Sequence, residues 1–258
     1  MTSPQNPQAQ LSGNKTHQNY PTITMLKDKS LKGHIMKQET WFAVDDYFNE
    51  KLLKKDTILD DVLNAAKIAE LPPIAVSKSF GKYLAMMVQI SGSKRILEIG
   101  TLGGYSAIMM ARALPDDGQL ITLEHEPACA NVAKENFAKA GLLNKIDLRL
   151  GEANDTLDKM IEAGEAPFDF VFIDADKQNN SNYFNRAMKM ANIGTIIITD
   201  NVVRDGEVID ADTEDEMVIG VRNFTDLIAK DSRVTSTALQ TVGDKGYDGY
   251  MLTLVNSL

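Results

Sequence analysis

The chain has 258 residues, 43% of them hydrophobic, enough for one sizeable core plus an appendage, and it holds no apolar run long enough to cross a bilayer. Its 36 acidic side chains outweigh 27 basic ones for a formal charge of -9, and no Lys/Arg cluster is interleaved with aromatics, so nucleic acid is not an expected partner. One cysteine, Cys129, precludes an intramolecular disulfide, and three scattered histidines, His17, His34 and His125, argue against hydrolase triads and imidazole metal clusters.

Residues 1–38 begin MTSPQNPQAQLSGNKTHQNYP, with neither an apolar signal core nor an arginine-rich amphipathic pattern. They read as a disordered polar tail, and the expected address is the cytoplasm. One domain is expected over 39–258. Helical periodicity covers about 40–55 (TWFAVDDYFNEKLLKK) and 57–71 (TILDDVLNAAKIAEL), the second stopped by Pro72 and Pro73. Trp41 and Phe42 read first as core packing of an amphipathic helix and second as a lid over a substrate pocket.

A third helix, about 77–90, leads into strands and helices that alternate without interruption. The strands are RILEI, QLITLE, KIDLRL, FDFVFID and TIIITD, with helices near 104–114, 127–140, 153–163 and 179–192. Gly141 and Gly194 are expected as helix C-terminal stops, and Cys129 as an inert packed residue. The polar loop NVVRDGEVIDADTEDE follows, its acidic run from Asp210 to Glu216 reading as a solvated loop and helix start. After a helix of about 215–230, RVTSTALQTV and GYDGYMLTLV flank a glycine-containing turn and predict an antiparallel hairpin. The alternation predicts an α/β fold: a doubly wound, mostly parallel sheet with helices on both faces.

Within this layout ILEIGTLGGYS is the most informative stretch. A buried strand ends near an acid, Glu98, and Gly100, Gly103 and Gly104 let the backbone turn and approach a ligand at the strand's carboxyl end. The dinucleotide fingerprint needs a glycine where Leu102 stands, which disfavours a pyrophosphate cradle. A second strand ends in Glu124, where a carboxylate suits both hydroxyls of a ribose, so the loop fits an adenosine-bearing ligand. Two later strands end in Asp174 and in Asp200 with Asn201. If those strands are neighbours, two carboxylates and an amide oxygen converge on one rim, an all-oxygen set for Mg, Mn or Ca rather than zinc. Strand-end aspartates that merely cap helices or form Asx-turns are the bland reading, and for Asp176 a helix N-cap is at least as good as a cofactor contact.

The ordered motifs LPPIAVSKSFGKYL, ILEIGTLGGYS, LITLE, FDFVFIDADK, IIITDN and GDKGYDGYMLTL resemble the cation-dependent, S-adenosylmethionine-dependent small-molecule O-methyltransferases, which include plant caffeoyl-CoA and animal catechol enzymes. The resemblance covers about residues 40–258. It implies a seven-stranded class I methyltransferase (Rossmann-like) sheet with an antiparallel last strand, S-adenosylmethionine over the glycine loop, and a homodimer. By position it places donor contacts on Val76, Glu98, Gly100, Thr101, Ser106, Glu124, Ala153 and Asp174, and metal ligands on Asp174, Asp200 and Asn201. Plant members carry a threonine close to Val76, so that site contributes main chain here.

The implied reaction moves a methyl group to a hydroxyl of a small phenolic acceptor, a vicinal aromatic diol. A sulfonium methyl is already activated, so the protein aligns the attacking oxygen and keeps it deprotonated; a divalent ion held by both oxygens serves each purpose. Lys177, three positions beyond Asp174 and matched by a lysine in the family, is the candidate general base, since positive charges beside it favour its neutral, proton-accepting form. A solvated surface lysine is the alternative. Two other functions share part of the pattern: a non-catalytic S-adenosylmethionine-binding module, separable by a chelator-sensitive methylation assay, and an NAD-dependent oxidoreductase, separable by nicotinamide titration.

Overall fold

Seven strands form one sheet in the order β3-β2-β1-β4-β5-β7-β6: β1 (Arg95–Ile99), β2 (Gln119–Glu124), β3 (Ile146–Leu150), β4 (Phe168–Ile173), β5 (Ala191–Asp200), β6 (Val234–Gly243) and β7 (Gly246–Val255). The computed structural model describes the backbone of residues 31–258 and the side chains from residue 38 onward. Strands β1 to β5 pair in parallel, whereas β7 runs antiparallel to both β5 and β6, closing the expected hairpin at the sheet's edge.

Alternate residues of the central strands feed two separate cores. Leu97, Ile99, Val171 and Ile173 pack with Leu157, Phe184 and Phe224 of the helices α6 (Ala153–Glu162), α7 (Asn180–Lys189) and α8 (Glu216–Lys230). Ile96, Phe170 and Phe172 face the other way, onto Leu84, Ile108 and Phe137 of α3 (Lys78–Ser91), α4 (Tyr105–Ala113) and α5 (Pro127–Lys139), with α2 (Thr57–Ile68) beside them. Burial on both faces is why these strands read as continuous apolar runs. Each fully buried large side chain contributes about 1.5–3 kcal/mol.

The register decides where the site lies. Ile99 pairs with Leu123 on one side and Ile173 on the other, and Ile173 pairs with Thr199. The next residues along these strands, Gly100, Glu124, Asp174 and Asp200, therefore stand level on the sheet's carboxyl rim. The conditional adjacency of the two aspartate-ended strands is met directly.

Three local expectations are revised. Helix α1 spans Leu31–Leu52, so it starts inside the segment read as tail and ends earlier than residue 55; residues 1–30 lie outside the described residues. Trp41 is half-buried, but Phe42 is 39% exposed and Val44, Tyr47 and Phe48 more so, so core packing does not describe this helix. It is tied instead to the hairpin tip, where Asp244 N donates to Asp45 Oδ2 at 2.8 Å. Gly194 does not end α7, which stops at Lys189; it takes a left-handed φ of +95° inside β5, where the pairing jumps from Phe168↔Ala191 to Phe170↔Ile196. The bulge is closed by Thr195, whose hydroxyl donates to Phe168 O at 2.7 Å and accepts from Asn192 N at 2.9 Å. Gly141 does follow α5 with φ +68°, as expected. Cys129 is buried, and burial pushes its thiol pKa up, consistent with an inert packed residue.

Candidate functional site

Gly100 is the pivot of the rim. Its φ is +98°, and a Cβ there would sit 2.2 Å from the Asp174 carbonyl oxygen, so only glycine lets the turn pass β4. Gly100 N donates to Leu123 O at 3.0 Å and Asp174 N to Ile99 O at 2.9 Å, binding the ends of β1, β2 and β4 into one platform.

Glu98 lies fully buried beneath that platform. Ser106 donates to its Oε1 at 2.6 Å and Thr122 to its Oε2 at 2.6 Å. Burial nonetheless outweighs these bonds and pushes its pKa up to about 8. With the proton on Oε2 the bond to Thr122 reverses. Thr122 then donates to Thr101 Oγ1 at 2.5 Å, and Thr101 to Leu123 O at 3.1 Å. Every hydroxyl is satisfied in that arrangement, so the buried acid organises the glycine loop through Ser106 and Thr101, both expected donor contacts.

Glu124, assigned from sequence to ribose, also secures the loop. Its Oε2 accepts from Thr101 N at 3.2 Å and Leu102 N at 2.8 Å, and its Oε1 from His125 N and Glu126 N at 2.9 Å each. A ribose diol would share these oxygens with the backbone. Leu102, where a glycine was missed by the fingerprint, holds φ +50° and is kept there by that carboxylate.

On the neighbouring strands Lys177 Nζ donates to Asp174 Oδ1 at 2.9 Å, and Lys177 is only 5% exposed. The reading of Lys177 as a solvated surface residue is thereby overturned. Asp200 is pushed up to about 8 by burial and then by the negative charge of Asp174, with Lys177 opposing. Asn201, at φ +56°, donates its N–H to Asp200 Oδ1 at 2.9 Å. Two facing carboxylates and an adjacent amide suit a hard divalent cation, which would offset the repulsion that now disfavours ionised Asp200. Among the described residues no cluster of three or more His, Cys, Asp or Glu side chains is assembled for a metal; this set is two carboxylates and one amide.

Ala153 begins α6, two residues after Gly151, whose N–H donates to Glu124 O at 2.8 Å. Val76 lies half-buried just before Ser77, the N-cap of α3, and no hydrogen bond among the described residues links it to the rim. Asp176 precedes the 3-10 turn Lys177–Asn179 without capping it by side chain; its carboxylate accepts from Tyr183 Oη and from Asn179 Nδ2. Three contributors went unread in the sequence. Thr122 was detectable as a polar residue inside an apolar strand. Asp248 accepts from Val203 N, Arg204 N and Gly249 N at 3.0, 3.0 and 2.9 Å, holding the loop after Asn201, and Gly220 lets α8 touch Lys177. Asp248 lies within the motif GDKGYDGYMLTL but was given no role, and Gly220 had no sequence signal.

A family model described as O-methyltransferase matches residues 49–254. The chain belongs to the O-methyltransferase family. It is 43% identical over 220 residues to a catechol O-methyltransferase of Niastella koreensis, covering 85% of this chain and 100% of that one. An O-methyltransferase from Bacillus cereus, solved in complex with SAH, is 50% identical with a TM-score of 0.84, covering 84% of this chain and 99% of that one. TomG of Streptomyces achromogenes, solved with SAM and involved in tomaymycin synthesis, is 44% identical with a TM-score of 0.83, covering 86% and 100%. The methyltransferase sheet carries an antiparallel last strand. No helix among the described residues is long and apolar enough to cross a membrane.

Proposed function

We propose that this O-methyltransferase moves the methyl group of S-adenosylmethionine to a hydroxyl of a small aromatic vicinal diol, a catechol, caffeoyl or related phenolic, with a divalent cation held by Asp174, Asp200 and Asn201. The observation that carries the reading is the rim itself: Gly100, Glu124, Asp174 and Asp200 stand level, with the buried Lys177 side chain hydrogen-bonded to Asp174. Relatives named catechol O-methyltransferase, and family structures solved with SAM or SAH, support both acceptor class and donor.

Gly100 and Thr101 would hold the donor, with Val76 and Ala153 beside it, Glu124 at its ribose, and Glu98 and Ser106 shaping the loop beneath. Asp174 serves donor and cation sides alike. A bound cation, Mg with Mn or Ca as alternatives, would supply positive charge to the diol oxygens. Lys177 Nζ receives the hydroxyl proton; as the new O–C bond forms, the C–S bond breaks and its electron pair stays on sulfur. A phenol titrating near about 10 must otherwise be ionised at a cost of about 1.4 kcal/mol per pH unit below that.

The test is incubation with labelled donor, Mg and a panel of catechols, caffeoyl thioesters and flavonoids, with and without EDTA. Labelling of at least one diol that EDTA abolishes is the expected result. Labelling indifferent to EDTA would refute the cation, and none with any acceptor would favour a non-catalytic donor-binding module.

A further inference from the structure

We propose that Arg204 is a specificity residue that binds a carboxylate carried by the acceptor, so that the preferred acceptor is an aromatic diol acid; this rests on the acceptor reading above. Arg204 lies three residues beyond Asn201, and its N–H is held at 3.0 Å by Asp248 Oδ1. Asp248 is two positions from Tyr250, the register partner of Asp200, so the loop is pinned to the same rim.

Its side chain reaches towards α8, where Nη2 lies 3.7 Å from Met217 Sδ. Gly220, three residues further along that helix and so on the same face, is the point at which α8 meets Lys177: a Cβ there would stand 2.5 Å from Lys177 O. One face of α8 thus carries the backbone of the candidate base and, one turn away, the Arg204 guanidinium.

That guanidinium is unsatisfied. A thioether is a weak acceptor for Nη2, and Nε is buried with no hydrogen-bond partner. Arginines 95, 112, 149, 186 and 233 are each paired with a carboxylate, and Arg222, though without an ion pair, donates to Val208 O at 2.7 Å, whereas Arg204 has neither an ion pair nor an oxygen acceptor among the described residues. The backbone is also strained here, with left-handed φ at Arg204 (+54°), Asp205 (+54°) and Gly206 (+87°) in succession. Strain of about 1–3 kcal/mol per non-glycine residue persists only where the surroundings enforce it, and it concentrates at ligand sites. In a chain of net charge -9 an anionic acceptor is repelled unless one cation stands ready for it. A guanidinium beside an apolar thioether matches a planar ring bearing a carboxylate, which it can hold through two parallel bonds.

The acid and ester of one catechol separate this from general acceptor binding. Equilibrium dialysis of protocatechuate and of its methyl ester, against full-length protein with Mg and SAH, should show the acid bound about tenfold more tightly. Arg204→Met should bring that ratio to about one and Arg204→Lys should restore part of it. Because the ratio is taken within one sample, a partly unfolded variant does not distort it. An acid-to-ester ratio that is the same in wild type and Arg204→Met overturns the proposal. Caffeoyl-CoA is dialysed alongside the acid and ester, and a loss in Arg204→Met confined to it reassigns the guanidinium to a phosphate and overturns the proposal equally. Dialysis needs no turnover, so failure of methylation would count against the proposed function alone.

Discussion

Lys177 and Glu98 are both buried ionisable groups, one at this rim and one beneath it, and their surroundings give them opposite tasks. Lys177 faces Asp174 at 2.9 Å, where the proposed reaction needs a proton acceptor. Lys177→Met should lower kcat by about a hundredfold or more while leaving donor affinity within about twofold, checked by initial rates and calorimetric titration with SAH; undiminished kcat would remove it from catalysis. Glu98 acts through pH. Its folded pKa of about 8 lies above the unfolded value of 4.5, so the folded state keeps a proton that the unfolded chain releases. Its contribution is fully present below pH 4.5 and declines as pH rises to about 8. The slope for one proton is at most about 1.4 kcal/mol per pH unit. Glu98→Gln, an isostere of the neutral acid, should flatten the stability profile of the ligand-free protein by that slope in urea titrations from pH 5 to 8. Asp200 acts in the same sense and leaves a residual slope, and a wild-type profile as flat as the variant's would refute the buried acid.

Elements carry these residues into place by close approach. Helix α8 contacts the 3-10 turn Lys177–Asn179 without a side chain intervening, because Gly220 has none to interpose. Gly220→Ala would force a methyl within 2.5 Å of Lys177 O, and either helix or turn must move. Overpacking of this kind costs about 1–3 kcal/mol. We expect kcat to fall at least about tenfold with donor affinity little changed, and a normal kcat in a variant of normal stability would show that α8 does not position the turn. Element boundaries were legible where burial is two-sided, as in RILEI and FDFVFID, since both faces demand apolar residues, whereas β5 begins at Ala191, four residues ahead of the expected TIIITD. They were not legible for α1, whose exposed apolar face gives no inward-facing pattern, nor for Gly194, whose bulge depends on how β5 meets β4.

At the scale of the molecule, ligand binding and folding are linked through the loop that Glu124 holds. SAH at a hundredfold its Kd should stabilise the protein by about 2.7 kcal/mol, which for a domain this size raises Tm by about 5–11 °C. Glu124→Ala should remove most of that shift, because it deletes the proposed ribose acceptor and frees Thr101 and Leu102 N–H from their anchor. Calorimetry that finds no SAH-dependent rise in the wild-type protein would sink the donor assignment.

The order of apolar runs, acids at strand ends and glycine spacing determined, with no coordinates, the α/β class, the family resemblance and the candidate residues Glu98, Glu124, Asp174, Lys177, Asp200 and Asn201. These are local properties: side-chain type sets which segment can be buried and which atom can bind. Only the tertiary structure decided that β4 and β5 are neighbours, that Glu98 is sealed from water, that Glu124 grips the loop, and that Arg204 and Lys177 meet one face of α8. Each of these depends on pairing and packing between segments distant in the chain, and such contacts follow from shape and register rather than from the composition of either segment.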